Sequence, residues 1–134
     1  MVNVKQVIVI RKDLNMRKGK MVAQGAHASL MAVIGVKHDP SEDLGAEGDW
    51  LLLSIDDPLR AWLCGNYKKI CVGVMSEAEL LAIYSAAKEK GLRCSLVQDS
   101  GLTEFGGVAT YTAAAIGPAS DEAIDAITGA LALL

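Results

Sequence analysis

Four consecutive β-branched residues, Val7-Ile8-Val9-Ile10, fall within the apolar segment 4–11, and they restrict the fold more than any other feature of the chain. A strand with one wet face alternates apolar and polar side chains, whereas a continuous apolar run belongs to a strand covered on both faces. The chain must therefore supply layers on either side of a sheet. Its 134 residues suffice, because a domain of this size buries roughly 65–70% of its unfolded surface without disulfides or a structural metal.

The rest of the chain offers the elements to do so. Residues 13–19 form a polar loop, and 20–36 have helical composition, with Gly19 as lead-in and Val22, Ala26, Leu30 and Val33 on one face. Residues 38–49 are a loop rich in glycine, proline and acids, and 50–63 read as a helix that Pro58 either kinks or, after Asp56 and Asp57, truly begins. A short strand spans 69–74. Ser76-Glu77-Ala78-Glu79 is a capping box opening a helix that stops at Gly91. Strands at 93–98 and 109–116 and a helix at 120–131 complete the order. Strands interleaved with helices predict an α/β sandwich on a sheet of about four strands. The last two strands have no helix between them, so one strand is antiparallel and the sheet mixed. With no repeat and no linker, residues 1–134 are expected to be a single domain.

Composition narrows the setting. The apolar runs fall far short of the roughly 18–20 residues needed to span a bilayer, and the start of the chain lacks a secretory leader, so a soluble, unexported protein without membrane partners is expected. Cys64, Cys71 and Cys94 form no C-x-x-C pair and are expected as reduced, buried thiols of a cytoplasmic protein. The two histidines, His27 and His38, have no companions at metal-ligand spacing, so no metal site is expected. The net charge of −3 argues at first against nucleic acid. It conceals a division: residues 1–20 carry six bases and one acid, a local +5, and the remainder carries −8. That asymmetry fits an anionic partner at one end or a solvated basic loop.

Two regions could carry chemistry. On the first helix Lys20, Gln24 and His27 fall within a narrow arc opposite the apolar face, among small residues that let a ligand approach. This stripe is either solvated or a site. Gly19-Lys20 is not a phosphate-cradling loop, since the G-x-x-x-x-G-K-[ST] pattern is absent. The second region, Asp99-Ser100-Gly101-Leu102-Thr103-Glu104, directly follows a strand, where ligands gather in open α/β sheets. It also reads as an Asx turn with Gly101 at positive φ. Neither a nucleophile elbow nor a cysteine in a basic pocket is present.

Arg11-x-Asp13-Leu14-x-Met16-x-x-Gly19-Lys20-x-x-Ala23-Gln24-x-x-His27-Ala28, then Gly91-Leu92, Asp99-x-Gly101-x-Thr103-Glu104, Ile116-Gly117-Pro118, Asp125 and Ile127-Thr128-Gly129-x-Leu131 resemble the type II peptidyl-tRNA hydrolase family in order and spacing over almost the whole chain. The resemblance implies a three-layer α/β/α sandwich on a four-stranded mixed sheet, commonly a homodimer. It also implies hydrolysis of the ester joining a peptide to the 3′-terminal ribose of tRNA, which recycles the tRNA, with no cofactor. By position it implies catalytic roles for Lys20, Asp99 and Thr103, with His27 as a competing base or an orienting group. Arg11, Asp13, Lys18, Gln24 and Thr112 are implied to bind substrate. Three departures stand out: the turn Phe105-Gly106-Gly107-Val108-Ala109 is one residue longer than the family's Pro/Gly-rich turn, the C-terminus lacks a basic residue, and the 39–49 loop is acidic. The alternatives are a divergent binding or regulatory module on the same fold and an esterase of small metabolites. The salt dependence of tRNA binding separates the first of these from the hydrolase.

Overall fold

The computed structural model describes residues 3–35, 46–47, 50–51, 53–101 and 105–134. The elements in chain order are β1 (Val4–Arg11), α1 (Lys18–Ile34), β2 (Ala46–Glu47), β3 (Trp50–Leu51), α2 (Asp57–Leu63), β4 (Lys69–Val74), α3 (Glu77–Glu89), β5 (Cys94–Asp99), β6 (Thr110–Ser120) and α4 (Asp121–Thr128). A four-stranded sheet runs in the order β4-β1-β6-β5. β1 pairs parallel with β4, and β6 is antiparallel to both β1 and β5, so the sheet is mixed as its helix-free last connection required.

The apolar run of β1 occupies a central position. Val7 and Val9 join Val72, Val74, Leu80, Ala87 and Ile124 in a core beneath α3 and α4, while Ile8 and Ile10 join Met16, Ala28, Ala32, Val97, Ala113 and Ala115 beneath α1. Two cores on opposite faces of one strand make the three layers. Each fully buried Val or Ile contributes about 1.5–3 kcal/mol of transfer free energy, and truncating Ile10, 1% exposed, to Ala would cost about 2–5 kcal/mol through the cavity left behind.

Helix α1 buries a different face from the one its apolar residues suggested. Val22 and Leu30 are 72% and 60% exposed, and the residues turned inward are Gln24, Gly25, Ala28, Ser29 and Ala32. The reason is closeness of approach. A Cβ on Gly25 would lie 3.4 Å from Ile8 Cγ2, and Ala113 and Ala115 offer a low surface that only small residues can meet. Polar atoms on this face find partners. Gln6 Nε2 donates to the carbonyls of Ser29 and Gly117, Ser29 Oγ donates to Gln6 Oε1, and Ser95 Oγ donates to the Ala28 carbonyl. These bonds fix the helix on the sheet. The outward apolar face instead lines a groove of about 770 Å³, with Ile8, Val22, Leu30, Trp62, Cys71 and Leu134 among its walls.

Other boundaries moved for local reasons. The expected 50–63 helix exists only from Asp57, because the Asp56 carboxylate accepts the Leu59 N–H at 2.9 Å and Pro58 sits in the first turn. Trp50–Leu51 pairs instead with Ala46–Glu47 as a short antiparallel ladder; the remainder of the expected 38–49 loop lies outside the described residues. The last helix ends at Thr128, not 131, and the chain then turns to cover the edge of β4, with Gly73 N–H donating to the Ala132 carbonyl and Leu134 N–H to that of Cys71. That tail satisfies backbone groups that a bare edge would leave open. The capping box holds as expected, the Ser76 hydroxyl accepting the Glu79 N–H and the Glu79 carboxylate the Met75 N–H. The cysteines depart from expectation: all three are free, but Cys64 and Cys71 are exposed and only Cys94 is half-buried. Burial among its neighbours pushes the Cys94 thiol up from 9.0.

Candidate active site

The two candidate regions meet. Lys20 lies in the first turn of α1 and Asp99 ends β5, and Lys20 Nζ donates to Asp99 Oδ1 at 2.8 Å, with the two side chains only 15% and 13% exposed. Gln24, one turn further along α1, extends its Nε2 to the same oxygen at 3.5 Å. The other oxygen, Oδ2, accepts the Gly101 N–H at 2.8 Å. The Asx turn and the site are therefore one structure. Gly101 has φ +84°, and a Cβ there would lie 2.1 Å from the Val108 carbonyl oxygen, so glycine alone permits the turn that presents Asp99.

These contacts set the electrostatics. The Lys20 hydrogen bond holds the Asp99 carboxyl below its ordinary 3.8, against the opposing effect of burial, and the Gly101 N–H and the charges of Lys20 and His27 lower it further. The result is a fixed carboxylate beside a fixed ammonium. That arrangement can orient a water molecule and neutralise a developing oxyanion.

Thr112 reaches the site through another residue. It is wholly buried, and its hydroxyl donates to Gln24 Oε1. Because an amide has one acceptor side and one donor side, this bond turns Gln24 Nε2 toward Asp99. The resemblance implies a substrate-binding role for Thr112; in the structure its buried hydroxyl addresses Gln24.

Arg11 and Asp13, implied as substrate ligands, hold each other: Arg11 Nη2 and Nε reach Asp13 Oδ2 and Oδ1 at 2.6 and 3.2 Å, and Arg11 Nη1 donates to the Tyr111 carbonyl at 3.0 Å. The Arg11 bond holds the Asp13 carboxyl below 3.8. This fork ties the β1–α1 connection to β6, one residue from Thr112. Lys18 and His27 are exposed on α1, and Thr103 lies outside the described residues. Sequence reading missed Phe105, whose ring centroid is 5.8 Å from Lys20 Nζ; the longer turn at 105–109 was its only signal. Among the described residues no three His, Cys, Asp or Glu side chains could hold a metal ion together.

Comparison with known proteins places these features in context. The family described as Peptidyl-tRNA hydrolase PTH2 matches residues 4–134. A peptidyl-tRNA hydrolase of Methanocaldococcus jannaschii is 45% identical over 130 residues, covering 97% of this chain and 99% of the relative. Those of Methanothermobacter thermautotrophicus and Haloquadratum walsbyi are each 41% identical, over 97% and 96% of this chain and 99% and 98% of theirs.

Proposed function

The chain belongs to the peptidyl-tRNA hydrolase PTH2 family, and from that premise we propose that Lys20 and Asp99, supported by Gln24 and Thr112, are the groups with which it hydrolyses peptidyl-tRNA. The observation that carries this reading is the 2.8 Å contact between Lys20 Nζ and Asp99 Oδ1 where the two candidate regions converge.

In this scheme the Asp99 carboxylate orients a water, whose oxygen adds to the ester carbonyl. Lys20 stabilises the oxyanion that forms. The bond to the ribose oxygen then breaks, and one proton of the water passes by way of Asp99 to the leaving oxygen, giving a free ribose hydroxyl and a peptide carboxylic acid that loses its remaining proton to solvent. One physical coupling favours the pair. Lys20 keeps Asp99 a weak base at rest; as its hydrogen bonding shifts toward the oxyanion, Asp99 loses the donor that lowers its pKa and becomes more basic when the water must give up its proton. General-base assistance of this kind is worth roughly 10²–10⁴-fold. His27 contributes positive potential at Asp99 from an exposed position, which supports an electrostatic part rather than that of the base. Thr103 is kept as a geometric hydrogen-bonding residue on the strength of its motif position alone.

The family match across residues 4–134 supports a single domain. The free cysteines and a substrate made during translation support a cytoplasmic setting. The outward apolar face of α1 and its groove support pairing of two copies across that face. Incubating the purified protein with a peptidyl-tRNA and, separately, with the same tRNA carrying an unblocked amino acid tests the reading. Release of the peptide with the unblocked ester spared is expected, and persistence of both esters refutes it.

A further inference from the structure

The basic segment that first suggested an anionic partner is not uniform once folded. Lys5 Nζ is bound by Asp125 at 2.6 Å, Arg11 by Asp13 at 2.6 Å and Lys20 by Asp99 at 2.8 Å, so carboxylates offset these three bases. Lys12, Arg17 and Lys18 are exposed on the connection from β1 into α1, and the first turn of α1 contains no acid. Lys12 has a seat. Its stem lies across Gly73 on β4, so that a Cβ at Gly73 would come within 2.5 Å of Lys12 Cδ and 2.8 Å of Cγ, while the Lys12 N–H donates to the Val74 carbonyl at 2.8 Å. The absence of a side chain at 73 thus lets a surface lysine lie flat on the sheet edge rather than project as a loose chain.

Position relates this lysine to the reacting ester. Gly73 is on β4 and Asp99 on β5, the two outer strands of the four, which at about 4.8 Å per strand places them roughly 14 Å apart across the sheet. A stacked nucleic-acid strand advances about 3.4 Å per nucleotide, so roughly four nucleotides cover that span. The ester sits on the terminal ribose, and the phosphates just behind it are single-stranded. We propose that Lys12, seated across Gly73, contacts a backbone phosphate within the last few nucleotides of the tRNA while the ester occupies the Lys20–Asp99 site. Lys12 is then an RNA-binding residue, and Gly73 positions it. This rests on the hydrolase reading above, and its test reads binding and hydrolysis separately.

The affinity of labelled, deacylated tRNA is measured against salt for the wild type, Lys12→Met, Lys12→Arg and Gly73→Ala. One lost contact to a single-stranded phosphate lowers the slope of log affinity against log salt by about 0.7. The advantage of the wild type over Lys12→Met should therefore shrink about 2.6-fold between 50 and 200 mM salt, a fourfold change raised to that slope. Lys12→Arg should keep the wild-type slope. Gly73→Ala, whose charges are intact, should lose slope like Lys12→Met because the stem is displaced. An N-acetylated aminoacyl ester of adenosine offers no phosphate, and its hydrolysis should show the same salt slope in the wild type and in Lys12→Met. A wild-type slope for Lys12→Met with tRNA overturns the contact, and a wild-type slope for Gly73→Ala overturns the seat. A wild type that binds tRNA with the predicted slopes but cleaves neither ester defeats the hydrolase reading and leaves the contact standing.

Discussion

Replacing Thr112 with valine removes one hydroxyl and little volume, and it isolates the part that Thr112 plays behind Gln24. The hydroxyl donates to Gln24 Oε1 in a fully buried setting. Without it, that oxygen is an unsatisfied buried acceptor, which costs about 1–3 kcal/mol. For a domain of this length each kcal/mol corresponds to about 3–5 °C in Tm, so the variant should melt about 3–15 °C lower. The amide also loses the bond that fixes its orientation. With the donor side no longer held toward Asp99, alignment of the carboxylate weakens by about 1–2 kcal/mol, or roughly 5- to 30-fold in kcat, while KM for peptidyl-tRNA stays near the wild-type value because Thr112 touches no ligand. Thr112→Ser restores the hydroxyl and should recover both Tm and kcat. Thermal denaturation followed by steady-state hydrolysis of peptidyl-tRNA supplies the readings. A Thr112→Val protein with the wild-type Tm and kcat, or one whose defect lies wholly in KM, refutes the positioning argument.

Other expectations follow from the same contacts. Asp99 and Asp13 have folded-state pKa values lowered from 3.8, so the stability they contribute is present above that pH and is lost as pH falls through the lowered values; acid unfolding monitored by circular dichroism should begin below pH 3.8. Lys20→Met removes the principal cause of the Asp99 shift while burial remains, so NMR titration of the Asp99 carboxyl should move upward, and an unmoved titration contradicts the assigned cause. Gly101→Ala should cost stability and activity together, because the added carbon meets the Val108 carbonyl at 2.1 Å and φ is +84°; a fully active, equally stable variant, by melting and hydrolysis, counts against the turn as the support of Asp99. Asp substituted at both Val22 and Leu30 should yield monomers by sedimentation equilibrium at concentrations where the wild type is a dimer, and a wild type that stays monomeric removes the basis for pairing across that groove.

The parts of this fold legible in the sequence are those dictated by short-range pattern. The apolar run of β1 requires cover on both faces, and Ser76 with Glu79 writes its own cap. The stripe of Lys20 and Gln24 and the Asp99-x-Gly101 turn mark both halves of the candidate site, because helical spacing and turn chemistry are local. What escaped is non-local. The buried face of α1 is small and polar rather than apolar because its partner surface is alanine, a fact belonging to β6, some 80 residues away in sequence. For the same reason the apolar positions Val22 and Leu30 pointed the wrong way, and Gly25, Ala28, Ser29 and Ala32 were the better guide. The motif position of Thr112 implied a substrate contact; the packing of β6 under α1 shows its hydroxyl addressing Gln24. The basic segment could be counted but not sorted, since the pairing of Lys5 with Asp125 spans 120 positions.

If Lys20 and Asp99 together perform the hydrolysis, removing the ammonium must slow the chemical step itself. Single-turnover release of peptide from peptidyl-tRNA, measured for the wild type and for Lys20→Met at saturating enzyme, addresses it without interference from substrate affinity or product release. Rapid release by the wild type and a loss of at least about 10²-fold in the variant, with its circular dichroism spectrum unchanged, are expected. Release at the wild-type rate by folded Lys20→Met protein contradicts a joint role for Lys20 and Asp99.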